Sequence, residues 1–431
     1  MIEIFSILLS IITFVIIFSF PINYYNNIII IKYRLNFFDV ILINLVLNLN
    51  LLLFLSFFSV NLNIIFLIIV IINSLLILFN LKKYKDFFIK DFLYLSLFLL
   101  LLFCLFVNIA HSAILTWDGT HWFYKAQNFF QGNEYKYLKN LPLDYYPHLG
   151  SYIWAFFWKN SFLQIEYSGR FFFIFIFLVS IFCIGQQLNN KFSNIEKVLL
   201  TFVFVFLSTN MFLFGGYQEY LIFFIFFIFS RLFFLSQSLK KENLESFIPF
   251  ILLLTSHLVL WAKQEGFFYY IILNLVFLLH YKKTFYYKFV YLLISLILLS
   301  IFLYIKIYFF GSLKFHQAII HPDLINNFNL LLLSKKILLI FKYIFISFVK
   351  YPIWILIILT SIILFIRGNF FNNNNFLYTF FILSFFLIFL IFLQTSYDLE
   401  WLLPLTLNRL VFQISGFYIF LIVELLNRIK K

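Results

Sequence analysis

The strongest constraint on the fold is a series of apolar runs about twenty residues long. One of them, residues 92–110, reads FLYLSLFLLLLFCLFVNIA. A helix of about 20 residues crosses the ~30 Å hydrocarbon layer of a bilayer, whereas the strands of membrane barrels are ~10-residue segments of alternating polarity. These runs do not alternate, and only 11% of the 431 residues are charged, where soluble domains have roughly a quarter. The sequence therefore predicts an all-α, polytopic transmembrane helical bundle.

The apolar runs predict about thirteen spans, separated by loops that alternate between two sides. The basic clusters fall on one side, which the positive-inside rule makes cytoplasmic. The N-terminus is then outside and the C-terminus cytoplasmic. Segment 335–350 is apolar but carries four lysines, and it is predicted to lie on the outer surface as an interfacial helix. The predicted spans lie near residues 2–20, 38–59, 63–81, 92–112, 171–188, 197–214, 217–235, 247–262, 266–281, 287–310, 351–367, 376–394 and 409–428.

The net charge of +14 is explained by these short cytoplasmic loops, whose basic side chains meet anionic headgroups. No nucleic-acid partner is expected. The sequence also contains no Walker loop, nucleotide fingerprint, HExxH pattern or Cys/His cluster. A soluble nucleotide donor or ATP-driven step is therefore not expected, whereas a hydrophobic donor that arrives through the bilayer needs none of these motifs.

The long first outer loop, residues 113–170, is the main candidate for chemistry because loops of this length usually have a function. Asp118 follows the fourth span directly, and residues 119–131 form an amphipathic, interfacial helical pattern with Lys125 and Asn128 on its polar face. Asp118 either caps this helix or carries a function, since an ionised carboxylate at a membrane boundary is costly.

A second helical stretch of the same loop begins at Tyr146-Pro147-His148. It is apolar and aromatic but too short to span, which is typical of a helix that dips into the outer leaflet. His148 at its start is a candidate proton carrier, metal ligand or phosphate contact. A histidine that is simply hydrogen-bonded at the interface is an equally good interpretation.

Two short outer turns add charged residues on the same side. Gln218 and Glu219 begin the seventh span, and Lys263 and Glu265 lie in a very tight turn. The alternative for this turn is an ordinary ion pair with a snorkelling lysine.

The last outer segment contains Asp398 and Glu400, and Arg409 is predicted to open the final span. An arginine there could hold a phosphate with its planar guanidinium, or it could anchor the helix end to a lipid headgroup. We expect the acidic and basic residues of these separate segments to gather in one outer cavity of the bundle.

Taken together, these features resemble the membrane-embedded GT-C glycosyltransferases, which include the protein mannosyltransferases and the aminoarabinose transferases of lipid A. The resemblance rests on the acid after a span, the amphipathic helix, the Tyr-Pro segment, the Gln-Glu and Lys-Gln-Glu-Gly turns, and the closing Glu-Trp…Asn-Arg. It covers roughly residues 92–428. Residues 1–91 are accordingly predicted to be additional N-terminal hairpins, and residues 92–431 the catalytic module.

The resemblance implies an inverting transfer of sugar from a polyprenyl-phosphate-linked donor to a saccharide, lipid or protein acceptor. By that resemblance Asp118 is the general base, and Lys263, Arg409 and His148 bind the donor phosphate. The residues that orient the substrate are Gln218, Glu219, Glu265, Asp398, Glu400 and Tyr146. Lipid-linked transfer at an outer leaflet favours a bacterial inner membrane with the active face in the periplasm.

This chain departs from the family at two points. Asp118 is followed by Gly119 rather than by a second acid, which puts a paired-carboxylate role in doubt. Family members also differ in their use of a divalent metal, and no ligand set appears in this sequence, so no metal residue is assigned.

Two other classes of protein remain as alternatives. A polytopic flippase or transporter of lipid-linked saccharides would also gather charges inside a bundle, though usually near the midplane. An O-antigen ligase or polymerase would share the substrate class and the compartment.

Overall fold

A computed structural model describes residues 2–18, 35–58, 60–79, 92–111, 115, 117–210, 214–238, 247–282, 285–310, 330–367, 375–395 and 397–430. Within those ranges the side chains of residues 76, 79, 117, 118, 238 and 330–332 are not described. All regular secondary structure in these ranges is helical, which confirms the all-α fold class. The chain divides into two compact units: residues 1–224 with 426–431 form unit 1, and residues 225–425 form unit 2.

Unit 1 is built around α7, which is buried along its whole spanning length. Helices α1, α2, α4, α6 and α8 pack on it. A helix that is apolar on every side, as α7 is, belongs in the interior of a bundle. The helices of this unit are α1 (Ile2–Phe18), α2 (Phe37–Leu55), α3 (Leu62–Phe79), α4 (Phe92–His111), α5 (Trp117–Phe130), α6 (Leu149–Lys159), α7 (Tyr167–Gln186), α8 (Asn194–Ser208) and the start of α9 (Glu219–Ser238).

The first three helices are integral to unit 1. Helix α1 packs against α3, α4 and α7, while α2 and α3 both contact α6. Helix α2 begins with a capping box in which Asn36 accepts from the Asp39 amide and Asp39 accepts from the Asn36 amide. Residues on both sides of the predicted boundary between 91 and 92 belong to unit 1, and the division into additional hairpins and a catalytic module stays a prediction.

Unit 2 contains a tight helical hairpin and a group of helices around α16. In the hairpin, α10 and α11 pack closely, and a β-carbon placed on Gly266 would lie 1.8 Å from the Val259 carbonyl oxygen. Helix α13 packs on α15 and α16. The helices are α10 (Phe247–Ala262), α11 (Gly266–His280), α12 (Phe285–Phe310), α13 (Leu330–Lys350), α14 (Pro352–Ile366), α15 (Phe376–Gln394), α16 (Leu399–Tyr418) and α17 (Phe420–Ile429).

Helix lengths in the described ranges support a membrane protein but a smaller count of long spans. Six helices are long and apolar enough to cross a bilayer, or up to eight if each of two bent pairs is one span. Four further apolar segments, Ile2–Phe18, Leu62–Leu75, Phe247–Ala262 and Gly266–His280, are shorter. Each predicted span overlaps at least one helix, and the last one overlaps both α16 and α17. The figure of thirteen spans stays a prediction.

The structure bears on two boundaries predicted from the sequence, at residue 350 and at Arg409. Helix α13 meets α14 at an angle of 98°, so this pair is not one straight span, in keeping with the interfacial helix predicted for residues 335–350. The prediction that Arg409 opens the last span was wrong, because α16 already begins at Leu399. Asp398 caps that helix by accepting a hydrogen bond from the Glu400 amide at 3.0 Å, and Pro404 lies within it.

Candidate functional site

The outer loop of unit 1 consists of two packed helices, α5 and α6. Helix α5 begins at Trp117, so Asp118 lies in its first turn and not at the N-cap position. The Asp118 side chain is outside the described part of the chain. Lys125 and Asn128, predicted on an exposed polar face, are both buried.

The buried Lys125 ammonium group contacts backbone carbonyls in the segment that connects α5 to α6. Its Nζ donates to the Tyr146 carbonyl at 2.7 Å and lies 3.4 Å from the Asp144 carbonyl. The same ammonium faces the rings of Trp122 and Tyr146, each at 5.8 Å. These contacts offset the free-energy cost of removing the ammonium group from water. Tyr146 therefore lies in a fixed position beside α5.

His148 is fully buried at the start of α6. Its Nε2 lies 2.6 Å from the Ser56 hydroxyl, just after α2. Rings of Phe57, Phe129 and Tyr135 surround the imidazole. This position favours a structural role, and the predicted phosphate contact of His148 stays untested.

Three segments that the sequence analysis treated separately meet beside Trp154. A β-carbon placed on Gly216, whose φ is +97°, would lie 2.6 Å from Trp154 Cη2 and 3.4 Å from Gly119 Cα. The left-handed backbone at Gly216 is one that glycine adopts without strain. We call this group, together with Gly150, Gly169 and Gln218, the Gln218 cluster.

Gln218 occupies the space that a side chain at Gly150 would fill. Its Oε1 lies only 1.3 Å from the position of a β-carbon on Gly150. The Gln218 side chain is fully buried, and within the described structure neither its Oε1 nor its Nε2 has a hydrogen-bond partner. Leaving a buried amide unpaired costs roughly 1–3 kcal/mol per group, which makes Gln218 a candidate ligand-binding residue. Glu219, the next residue, is fully buried in the first turn of α9.

Arg170 lies next to the Gln218 cluster in the chain and was not singled out from the sequence. Gly169 before it abuts Trp154, whose Cδ1 lies 2.2 Å from the position of an added β-carbon. The Arg170 side chain is fully buried and pairs with Glu166 at 2.9 Å through Nη2. Its Nε and Nη1 have no partner among the described residues. A buried guanidinium with open donors is suited to a phosphate or carboxylate.

Glu166 pairs with Arg170 and lies near the Trp154 indole. Burial raises the pKa of the Glu166 carboxyl above its usual range, although the Arg170 guanidinium and the Trp154 indole oppose that rise. The Glu166–Arg170 pair, spaced by four residues before a long apolar run, is the sequence signal that identifies this position. It was overlooked because an arginine at a span end is ordinarily a topology charge.

In unit 2, three predicted residues lie close together around a tight turn. Lys263 pairs with Glu265 at 2.8 Å, and each of the two side chains is 12% exposed. Burial by itself raises the pKa of the Glu265 carboxyl, but the Lys263 ammonium and, more weakly, the Arg409 guanidinium bring it below its usual range. We call residues 263–265 the Lys263 turn. Together with Arg409, the turn has two cations and one carboxylate and therefore a net positive charge.

Asp398 and Glu400 are exposed. The helix cap described above accounts for Asp398, and the structure adds no further partner that would explain Glu400. Their predicted substrate-orienting roles stay predictions. Within the part of the chain that the structure describes, no group of three or more His, Cys, Asp and Glu side chains is arranged to hold a metal ion.

No protein-family model, curated protein or solved structure matches this chain.

Proposed function

We propose that this protein is a membrane glycosyltransferase of the GT-C type. It transfers a sugar from a polyprenyl-phosphate-linked donor to a saccharide, lipid or protein acceptor, with inversion at the anomeric carbon. The proposal includes thirteen spans, an outer active face in the periplasm of a bacterial inner membrane, an outer N-terminus and a cytoplasmic C-terminus. A divalent metal is left open.

The observation that supports this proposal most directly is the Gln218 cluster. It joins the head of α5, the first turns of α6 and the Gly216–Gln218 turn, which are three of the outer segments on which the resemblance rests. At their junction are a buried amide with neither atom bonded and, nearby, a buried guanidinium with two open nitrogens. Sugar hydroxyls and phosphate oxygens are the groups that such donors and acceptors bind.

In the proposed reaction Asp118 removes the proton of the acceptor hydroxyl. The acceptor oxygen forms a bond to the anomeric carbon, and the bond from that carbon to the phosphate oxygen breaks with its electron pair. The products are the glycosylated acceptor and polyprenyl phosphate, and the proton resides on Asp118. A positioned general base contributes about 10²–10⁴-fold to the rate.

The other predicted residues have supporting roles in this proposal. Gln218 binds sugar hydroxyls, and Arg170 is added as a phosphate ligand. Glu219 and Tyr146 orient the substrate. Considered by itself, the Lys263 turn of unit 2, with Arg409, has the net positive charge of a phosphate-binding group. We give His148 a supporting role, because its Nε2 is already engaged by Ser56.

The test is a turnover assay in lipid nanodiscs. The protein is incubated with a panel of polyprenyl phosphates that carry different radiolabelled sugars, together with saccharide, lipid or protein acceptors. Released polyprenyl phosphate is measured. We expect one donor to be consumed and Asp118→Asn to slow that release about 10²–10⁴-fold. Asp144→Asn is the matched control, since Asp144 lies in the same loop and accepts from the Tyr145 amide.

Two results would contradict the proposal. A correctly folded Asp118→Asn protein with full activity removes Asp118 as the base. If the labelled donor reaches the other leaflet of a proteoliposome without release of its sugar, the protein is a flippase and not a transferase.

A further inference from the structure

An open cleft of about 670 Å³ lies on unit 1, away from the Gln218 cluster. Its walls are the start of α3 and the connection from α6 to α7. Asn63 and Leu67 come from the first wall, and Lys159, Phe162, Leu163 and Gln164 from the second. The proposed reaction uses none of these residues.

One side of the cleft is polar and carries an uncompensated positive charge. The Lys159 ammonium lies 4.4 Å from the centroid of the Phe130 ring, and no carboxylate in the described ranges pairs with it. Asn63 and Gln164 are exposed, and their side-chain amides form no hydrogen bond with other described residues. A cation with two nearby amides matches the hydrogen-bonding needs of a phosphate group.

The other side of the cleft is apolar and exposed. Leu67 and Leu163 are 56% and 62% exposed. Beyond Leu67 the same helix continues as an exposed apolar face; its members are Ile68, Ile71, Ile72, Leu75 and Leu78. In a membrane protein such a face is covered by acyl chains, because lipid tails are as apolar as leucine.

The connection between α6 and α7 is held in a conformation that L-residues seldom adopt. Leu163 and Gln164 have φ values of 58° and 51°, which cost non-glycine residues roughly 1–2 kcal/mol each. The Trp158 indole fixes the segment by donating to the Gln164 carbonyl at 2.7 Å. Strain of this kind is maintained at ligand sites more often than elsewhere.

We propose that this cleft binds a phospholipid with an anionic headgroup. The lipid phosphate contacts Lys159, Asn63 and Gln164, and an acyl chain lies along the exposed face of α3. The positive charge beside an apolar helix face is the complement of such a lipid. This site does not depend on the transferase reaction.

The test is native mass spectrometry of the detergent-solubilised full chain, titrated with phosphatidylglycerol or phosphatidylcholine. We expect the first phosphatidylglycerol to bind roughly fivefold more tightly, since a basic residue near an anionic lipid contributes about 1 kcal/mol. Lys159→Gln should remove that preference, and Lys159→Arg should retain it. Lys139→Gln, an exposed lysine of the same loop, is the control and should bind like the wild type.

The apolar wall is tested separately. Leu67→Asn should weaken the binding of both lipids without changing the preference for phosphatidylglycerol. The proposal is wrong if Lys159→Gln keeps the preference. It is also wrong if inorganic phosphate displaces the bound lipid at equal concentration, because the cleft would then be a simple anion site.

Discussion

The Gln218 cluster and the Lys263 turn both bury polar side chains, but they differ in how those groups are satisfied. At the Lys263 turn, an ammonium and a carboxylate lie 2.8 Å apart. At the Gln218 cluster, the amide of Gln218 and two guanidinium nitrogens of Arg170 have no partner among the described residues. The sequence analysis had treated the two segments as equivalent parts of one site.

Of these two regions, the one around Gln218 and Arg170 has more buried hydrogen-bonding atoms without a partner among the described residues. A satisfied pair is explained by stability alone, since removing one partner leaves a buried charge. Unsatisfied buried groups lower stability, and such groups are retained mainly at functional positions. The comparison therefore makes the Gln218 cluster the better candidate for substrate contact. Three experiments test this difference between the two regions.

The largest expected effect comes from a matched pair of glycine substitutions, one in each region. In Gly266→Ala the new methyl group would meet the Val259 carbonyl of the α10 backbone at 1.8 Å, which cannot move without shifting the helix. We expect a loss of about 3 kcal/mol in the free energy of unfolding. In Gly150→Ala the three atoms nearest the methyl group all belong to the end of the flexible Gln218 side chain, so the loss should be below about 1 kcal/mol.

Thermal unfolding in detergent measures both variants, and the turnover assay completes the comparison. Gly150→Ala should reduce turnover despite its near-normal stability, because it displaces Gln218. Equal thermal stability of Gly266→Ala and Gly150→Ala would contradict the packing described for the two turns.

A smaller effect is expected when each region's buried glutamine is replaced by methionine. Gln218→Met removes an unpaired amide and should stabilise the protein by about 1 kcal/mol, while turnover falls roughly tenfold. Gln264→Met, in the Lys263 turn, replaces a buried glutamine that has a partner, although its Nε2 forms no hydrogen bond with the described residues. It should lower stability by about 1 kcal/mol. If both variants are destabilised alike, the two regions do not differ in hydrogen bonding.

The smallest effect is a pair of opposite pH dependences. The pKa of Glu265 is lowered in the folded state, so its contribution to stability is present above the ordinary value of 4.5 and is lost as pH falls below it. The pKa of Glu166 is raised, so its contribution is present below 4.5 and is lost as pH rises above it.

Melting temperatures of the wild type, Glu166→Gln and Glu265→Gln between pH 4 and 7 separate the two contributions. The difference between the wild type and Glu166→Gln should decrease with rising pH. The difference between the wild type and Glu265→Gln should increase. Parallel curves would show that the two carboxylates have similar environments.

Much of the fold follows directly from the apolar runs. Residues 247–262 and 376–394 are helices with the predicted bounds, because a bilayer imposes a length and a composition that are visible in the sequence. The start of α16 was missed by contrast. Arg409 was placed at the opening of the last span, whereas the helix begins at Leu399 after the Asp398 cap, packs against α13 and continues through Pro404 and Arg409.

Individual site positions were less predictable, because burial depends on neighbours that are distant in the chain. Lys125 was assigned to an exposed face by its charge, yet the backbone carbonyl of Tyr146, 21 residues away, gives it a buried partner. Gln218 was identified from its place in the turn. That its amide is buried next to Gly150 without a hydrogen-bond partner among the described residues depends on contacts between distant segments. Arg170 was missed because a span boundary at residue 171 made it a flanking charge.

The hydrogen bond between Ser56 and His148 joins residues 92 positions apart and has a consequence for biogenesis. A chain is inserted into the membrane from its N-terminus, so α1, α2 and α3 are in place before α6 is synthesised. The second helix of the outer loop then docks on a surface that already exists. A protein that began at residue 92 would lack the Ser56 hydroxyl that contacts His148.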